Sequence, residues 1–236
     1  MGSWEAIKIR GIPLKIHSSW IFVFLYFTLS AREQFETLFD GQVSMWNGWL
    51  IGIFTSSLLF LSVLLHELAH SFVAIGEGLK VRDITLFFLG GMANVDKECA
   101  TSKGSLKIAI SGPIVSLFLA FLMILLSNIL LGSNLILSNL FKQVGSLNFL
   151  IGVFNLLPIV PLDGGVILKS LIWYFTGSRR AGIKFAIDTA RFISFLSIFA
   201  GLINLIGGSF YIAFCFLIIG LFVFSSSKSQ SQIIKI

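Results

Sequence analysis

Apolar residues run through this chain in blocks longer than a soluble core requires, and polar residues gather in the gaps. Against the ~20 residues needed to cross a bilayer, the blocks predict six spans, near 18–36, 46–75, 106–131, 147–175, 185–206 and 208–226. Arg32 and Glu33 interrupt the first, with Arg32 placed to snorkel to the surface. The fifth carries Asp188 and Arg191, three apart on one helix face and so able to pair. Two segments follow a period of two instead. "AIKIRGIPLKIH" sets Ile7, Ile9, Ile12, Leu14 and Ile16 against polar neighbours, slipping once at Gly11-Ile12, and predicts strand near residues 5–16. "LKVRDITLFFLGGMANV", residues 79–95, mixes β-branched and aromatic residues with a Gly-Gly turn signal and also predicts strand. The expected fold is an all-α multi-span membrane protein of about six transmembrane helices, with small strand segments. No repeat or linker is evident, so residues 1–236 read as a single domain.

Composition agrees. The chain is 56% hydrophobic and 12% charged, about half the charge of an ordinary soluble domain. The first residues lack the apolar core of a cleavable signal peptide, and Ala6 stands where a myristoylation signal wants Ser or Thr. The net charge of +6 is an orientation signal. Lys8, Arg10, Lys15, Lys80, Arg82, Lys97, Lys103, Lys107, Arg179, Arg180, Lys184, Lys228 and Lys235 flank one side of the spans, and only Arg32 and Lys142 the other. By the positive-inside rule both termini face the cytoplasm. The expected partner of this basicity is the lipid bilayer, with no nucleic acid. Cys99 and Cys215, far apart and in unlike settings, are expected to be free thiols.

The chemistry concentrates in "LLHELAHSFVA", residues 64–74. Two of the chain's three histidines lie here, four apart, inside an apolar run. Residues i and i+4 share a helix face, so His66 and His70 can turn ring nitrogens toward one ion. Glu67, about 100° around the helix, can reach a water on that ion without ligating it. That is the physical content of the HExxH pattern: two neutral imidazoles hold zinc, and a carboxylate takes a proton from its water.

A catalytic zinc usually takes a third protein ligand, and Asp163 in "NLLPIVPLDGG" is the candidate. It is the only acidic residue between Glu98 and Asp188. An unpaired Asp at the centre of a membrane helix costs roughly 2.5–3.5 kcal/mol, so a partner is expected. Pro158 and Pro161 break the helix before it, and Gly164-Gly165 permit close backbone approach. Counted from Gly78 and Phe175 at 1.5 Å per residue, His66 and His70 lie ~18 and ~12 Å deep and Asp163 ~18 Å. The three groups can meet at one depth.

"HELAHS" in one span and "FNLLPIVPLDGG" in a later one resemble the site-2 protease family of intramembrane zinc metalloproteases. "SGPIVS" (residues 111–116) is similar to its small-residue motif, "LFFLGGMA" (86–93) to its Gly-Gly hairpin, and "GIPLKIHSSW" to the lead into its first span. The resemblance covers nearly the whole chain in order. It implies one zinc on His66, His70 and Asp163, Glu67 as catalytic acid/base, and Asn155 as the motif asparagine that helps hold substrate or the developing oxyanion. It implies cleavage of transmembrane segments of other membrane proteins, after a first cut by an upstream site-1-type protease. No inserted PDZ segment or C-terminal CBS tail is expected.

Two readings stay open at several residues. Asn155 either binds substrate or satisfies backbone freed by Pro158. Gly90 and Gly91 form a turn, with substrate contact as the second role. An edge strand from residues 79–95 is expected to capture unwound substrate by β-augmentation. Gly112, Pro113 and Ser116 read as close helix packing, and His17 beside Trp20 as a membrane-boundary residue. The rival functions are a membrane metal-ion transporter, which would want more than three histidines along a path, and a catalytically inactive membrane scaffold, which would not need Glu67.

Overall fold

In a computed structural model, residues 2–40, 44–88 and 90–233 are described, with side chains through residue 228; Lys235 lies outside them. Seven helices and four strands follow in order: β1 (Ser3–Ile9), β2 (Ile12–His17), α1 (Ser19–Leu38), α2 (Met45–Gly76), β3 (Val81–Phe87), β4 (Gly90–Val95), α3 (Ser102–Leu130), α4 (Leu135–Asn155), α5 (Asp163–Thr176), α6 (Arg179–Ile206) and α7 (Phe210–Ile233). The chain divides into two compact units: Met1–Glu98 with Ser111–Val153, and Cys99–Ile110 with Phe154–Ile236.

In the first unit the strands form one sheet in the order β1-β2-β3-β4. The phase slip at Gly11-Ile12 is a hairpin, so the predicted single strand is two. Arg10 (φ 49°) and Gly11 (φ 85°) both take the left-handed conformation that a two-residue turn needs to match strand twist, and Ile9 pairs with Ile12. β2 then pairs in parallel with β3, Leu14 opposite Ile84 and Ile16 opposite Leu86. β3 and β4 are antiparallel, closing at Phe87 and Gly90. Asp83 ties three strands together, accepting from Lys15 Nζ (3.1 Å), Thr85 Oγ1 (3.0 Å) and Asn94 Nδ2 (2.7 Å). Burial alone would raise its pKa; these donors outweigh that and hold the carboxyl below its ordinary value.

Helix α2 is 32 residues, about 48 Å at 1.5 Å each. The Ser44 hydroxyl accepts from Asn47 N at its start. At its end Gly78 is left-handed (φ 81°), and bonds from Leu79 N to Ala74 O and Gly78 N to Ile75 O complete a Schellman cap. Helix α1 lies against α2 where a Cβ on Gly52 would stand 2.4 Å from Thr28 O, and Thr28 donates to Ser56. Arg32 pairs with Glu36 at 2.8 Å and covers the Trp49 ring, so its charge is met within the unit. Phe35, Leu140 and Val144 form a buried cluster flanked by Ile51, Leu58 and Met123. Helix α4 starts well before the apolar run predicted from residue 147, because Asn139, Lys142 and Gln143 break the hydropathy without breaking the helix. Gln143 donates to Gln34, and buried Asn148 donates to Ser62.

In the second unit the predicted span 147–175 is interrupted. Helix α4 ends at Asn155, residues 156–162 form a compact break, and α5 restarts at Asp163. The break lies so close to α5 that a Cβ on Gly164 would stand 2.1 Å from Leu157 O, and one on Gly165 2.8 Å from Ile159 O. Only glycine admits that contact. Ile159 and Val160 join Ala186, Ala190 and Val223 in a buried core. Helices α6 and α7 are stitched by Ser194 to Gly220 O and Ser197 to Phe216 O, each 2.7 Å. Asp188 and Arg191 approach to 3.9 Å at the surface. Cys99 and Cys215 are both free.

Four helices among the described residues are long and apolar enough to cross a membrane: Met45–Gly76, Ser102–Leu130, Arg179–Ile206 and Phe210–Lys228. The predicted first span falls short because α1 carries Arg32, Glu33 and Glu36, and the fourth because of its break.

Candidate metal centre

Helical periodicity puts His66 and His70 on one face of α2, and their rings meet edge to face with centroids 4.9 Å apart. Nε2 of His66 and Nε2 of His70 are 3.2 Å apart. Each Nδ1 is engaged elsewhere, His66 with Ser116 Oγ at 2.8 Å and His70 with Ser111 Oγ at 3.4 Å. With the rings held from behind, the two ε nitrogens face each other. Two neutral acceptors at that distance repel unless a proton or a cation lies between them. A tetrahedral zinc with Zn–N of about 2.0–2.1 Å holds two nitrogens about 3.3 Å apart. The donor set therefore fits that ion in type and spacing.

Glycines fit the surrounding backbone to this pair and to Glu67. A Cβ on Gly112 would stand 2.2 Å from His70 Nε2 and 2.6 Å from His66 Nε2, so α3 passes directly over the nitrogens that would face a metal. A Cβ on Gly91 would stand 2.2 Å from Glu67 Cγ and 2.9 Å from its Oε1. Strand β4 is thus a wall against the half-buried Glu67 side chain, and the Asp83 clamp fixes that wall to β2 and β3.

Of the residues singled out from sequence, the first unit brings together His66, Glu67, His70 and Gly91. Gly90 closes the hairpin at φ 130°, which makes it a turn former. In the second unit Asp163, half-buried, occupies the first position of α5, after the break that the two prolines predicted. Asn155 is the last residue of α4, also half-buried. His17 Nδ1 meets Ser19 Oγ at 2.8 Å, and that oxygen accepts from Phe88 N, so His17 belongs to the join between sheet and α1.

Gly112 lies at a close approach of α3 to α2, as its reading as helix packing expected, and what α3 packs against there is the imidazole pair, which Ser116 and Ser111 also face. The sequence held a signal. Helices α2 and α3 pair in reversed order, 66 with 116 and 70 with 111, so a hydroxyl at either end of "SGPIVS" can meet one histidine each.

Residues 54–137 and 133–190 match the model of peptidase family M50. A Synechocystis sp. protein provisionally named a zinc metalloprotease is 34% identical over 95% of this chain and 59% of its own length. A zinc metalloprotease of Methanocaldococcus jannaschii is 29% identical over 99% of this chain and 62% of itself. The chain thus spans about three-fifths of the length of these curated relatives. The solved structure of a site-2 protease from M. jannaschii superposes with a TM-score of 0.60 at 28% identity, covering 98% of this chain and 95% of that one.

Proposed function

The chain belongs to peptidase family M50, and on that footing we propose that it is an intramembrane zinc metalloendopeptidase that hydrolyses peptide bonds within transmembrane segments of other membrane proteins. The observation that carries this reading is the 3.2 Å separation of the two ε nitrogens beside a walled carboxylate. His66, His70 and Asp163 would hold the metal. Asp163 is assigned as the third ligand because it is the only acidic residue between Glu98 and Asp188 and opens a helix behind a proline break. Bound there, zinc supplies Lewis-acid polarisation and a water acidified toward neutral pH.

The remaining chemistry rests on the chain's own groups. Glu67 accepts the proton of the attacking water at a carboxylate oxygen and later delivers one to the leaving amine. Gly91, having no Cβ, leaves the space in which that side chain lies against β4. Asn155 donates its amide to substrate or to the developing oxyanion. Substrate adds along the outer strand β4 once its own helix has unwound there, since backbone bonded within a helix is closed to attack.

The chain acts as one domain within the bilayer, its substrates are membrane proteins first cut by an upstream protease, and it crosses six times. Helix α1 and the α4–α5 pair supply the two crossings beyond the four apolar helices. The Arg32–Glu36 pair offsets two of the three charges on α1, whose Phe22, Tyr26 and Leu29 are exposed as lipid-facing residues would be. Both termini lie in the cytoplasm.

Purified full-length protein carrying Glu67→Gln, assayed with a transmembrane substrate, should lose about 10²–10⁴ of its turnover while retaining its zinc. Wild-type turnover in that variant refutes the protease reading. A metal transporter would instead keep its flux.

A further inference from the structure

Zinc at the two ε nitrogens, the reading on which this inference rests, leaves the two δ nitrogens with protons to place. An imidazole that gives Nε2 to a cation keeps its proton on Nδ1. That N–H needs an acceptor, and an apolar interior offers no bulk water. His66 is 4% exposed, and the Ser116 hydroxyl facing its Nδ1 at 2.8 Å is 1% exposed. His70 Nδ1 faces the Ser111 hydroxyl at 3.4 Å in a more open setting. We propose that Ser111 and Ser116 are positioning residues that accept the two Nδ1 protons, fixing tautomer and ring orientation so that both ε nitrogens present lone pairs to one zinc ion.

The arrangement differs from serines elsewhere in α2. Ser62 and Ser71 turn their hydroxyls back onto carbonyls four residues earlier, Leu58 O and Glu67 O, and neither meets an imidazole, the side-chain donor to Ser62 being Asn148. Ser111 and Ser116 stand instead on a neighbouring helix, one opposite each ring. Gly112 lies on the same face as Ser116, four residues earlier, and its missing side chain leaves room for the ε nitrogens. Hydroxyl, gap and hydroxyl thus repeat the order ring, ion and ring. Serine suits the role because its oxygen accepts from the metal-bound form and donates to a ring that has lost its Nδ1 proton, so the ring stays anchored when the ion leaves. The shorter, sealed contact makes Ser116 the stronger determinant.

The test measures zinc affinity of the full-length protein in detergent by competition with a chromophoric chelator, alongside the visible spectrum of the cobalt-loaded form. Ser116→Ala is expected to bind zinc about 10–100-fold more weakly and to shift the cobalt bands, with the metal-free protein still folding cooperatively at a thermal midpoint lowered only by the loss of one buried hydrogen bond. Ser111→Ala should weaken binding less, and Ser111→Thr, which keeps the oxygen, should restore it. Wild-type affinity and spectrum in either alanine variant overturn the assignment of that serine. A loss in Ser111→Ala that threonine fails to restore does the same. Should Ser116→Ala not fold, the Ser111 pair decides. His66→Ala separates the two levels: if it holds zinc as wild type does, the zinc reading itself falls. If it loses the ion while the serine variants keep it, only the present inference falls.

Discussion

Gly112→Ala adds a single methyl group at the point where α3 passes over the imidazole pair. The new carbon would begin 2.2 Å from His70 Nε2 and 2.6 Å from His66 Nε2, whereas ordinary contact starts at 3.4 Å. The first ring must therefore recede by about 1.2 Å and the second by about 0.8 Å, differences of those distances. The helix has little room to back away, because Leu117 and Ala120 already press against α4 at Gly152 and Gly145. A metal site tolerates ligand errors of only about 0.2 Å, and a 1 Å misplacement of a reacting group costs about 10²-fold. Zinc affinity should fall at least about 100-fold, about 2.7 kcal/mol. Stability of the metal-free protein should fall less, since the serine contacts the rings would lose, about 1 kcal/mol each, are partly offset by alanine's gain of about 0.5–1 kcal/mol at an interior helix position. Chelator competition gives the affinity, and thermal unfolding with zinc removed gives the stability. Wild-type zinc affinity in Gly112→Ala would refute the geometry from which the whole centre is built.

Gly91→Ala should separate binding from chemistry. Its methyl would displace the Glu67 side chain, so turnover on a membrane substrate should drop about 10²-fold with zinc content unchanged, and undiminished turnover would count against the β4 wall. Asp83 predicts an acid-dependent sheet. Its carboxyl is held below the ordinary range, so its contribution is present above the unfolded-state pKa and lost as pH falls through the lower folded-state value. Thermal midpoints measured from neutral to acid pH should converge for wild type and Asp83→Asn, and parallel curves would show that the clamp contributes nothing.

Much of the proposed chemistry is legible in the sequence because it obeys local rules. His66 and His70 share a face by helical period alone, and the break before Asp163 follows from Pro158 and Pro161, three residues apart, each of which removes a backbone donor and crowds the preceding turn. Less legible are features that depend on what lies opposite. The β1–β2 hairpin hides as a slip in alternation, because Arg10 is not a residue that announces a left-handed turn. Ser111, Gly112 and Ser116 look like any small-residue seam until α2 is laid beside them. Helix α4 is obscured for another reason. Asn139, Lys142 and Gln143 lower the apolar signal ahead of residue 147 without weakening the helix, and Gln143 donates to Gln34.

The parallel pairing of β2 with β3 has a topological consequence. Strand β2 ends at His17, immediately before α1, and β3 starts at Val81, just after α2, yet Leu14 and Ile84 are neighbours. A chain that departs from one face of a bilayer and returns to that same face has traversed it an even number of times. A traverse by α2 therefore obliges α1 to make one too, charged residues notwithstanding. Three backbone pairings between distant strands thus tie the two helices together: if α2 crosses as proposed, α1 crosses with it.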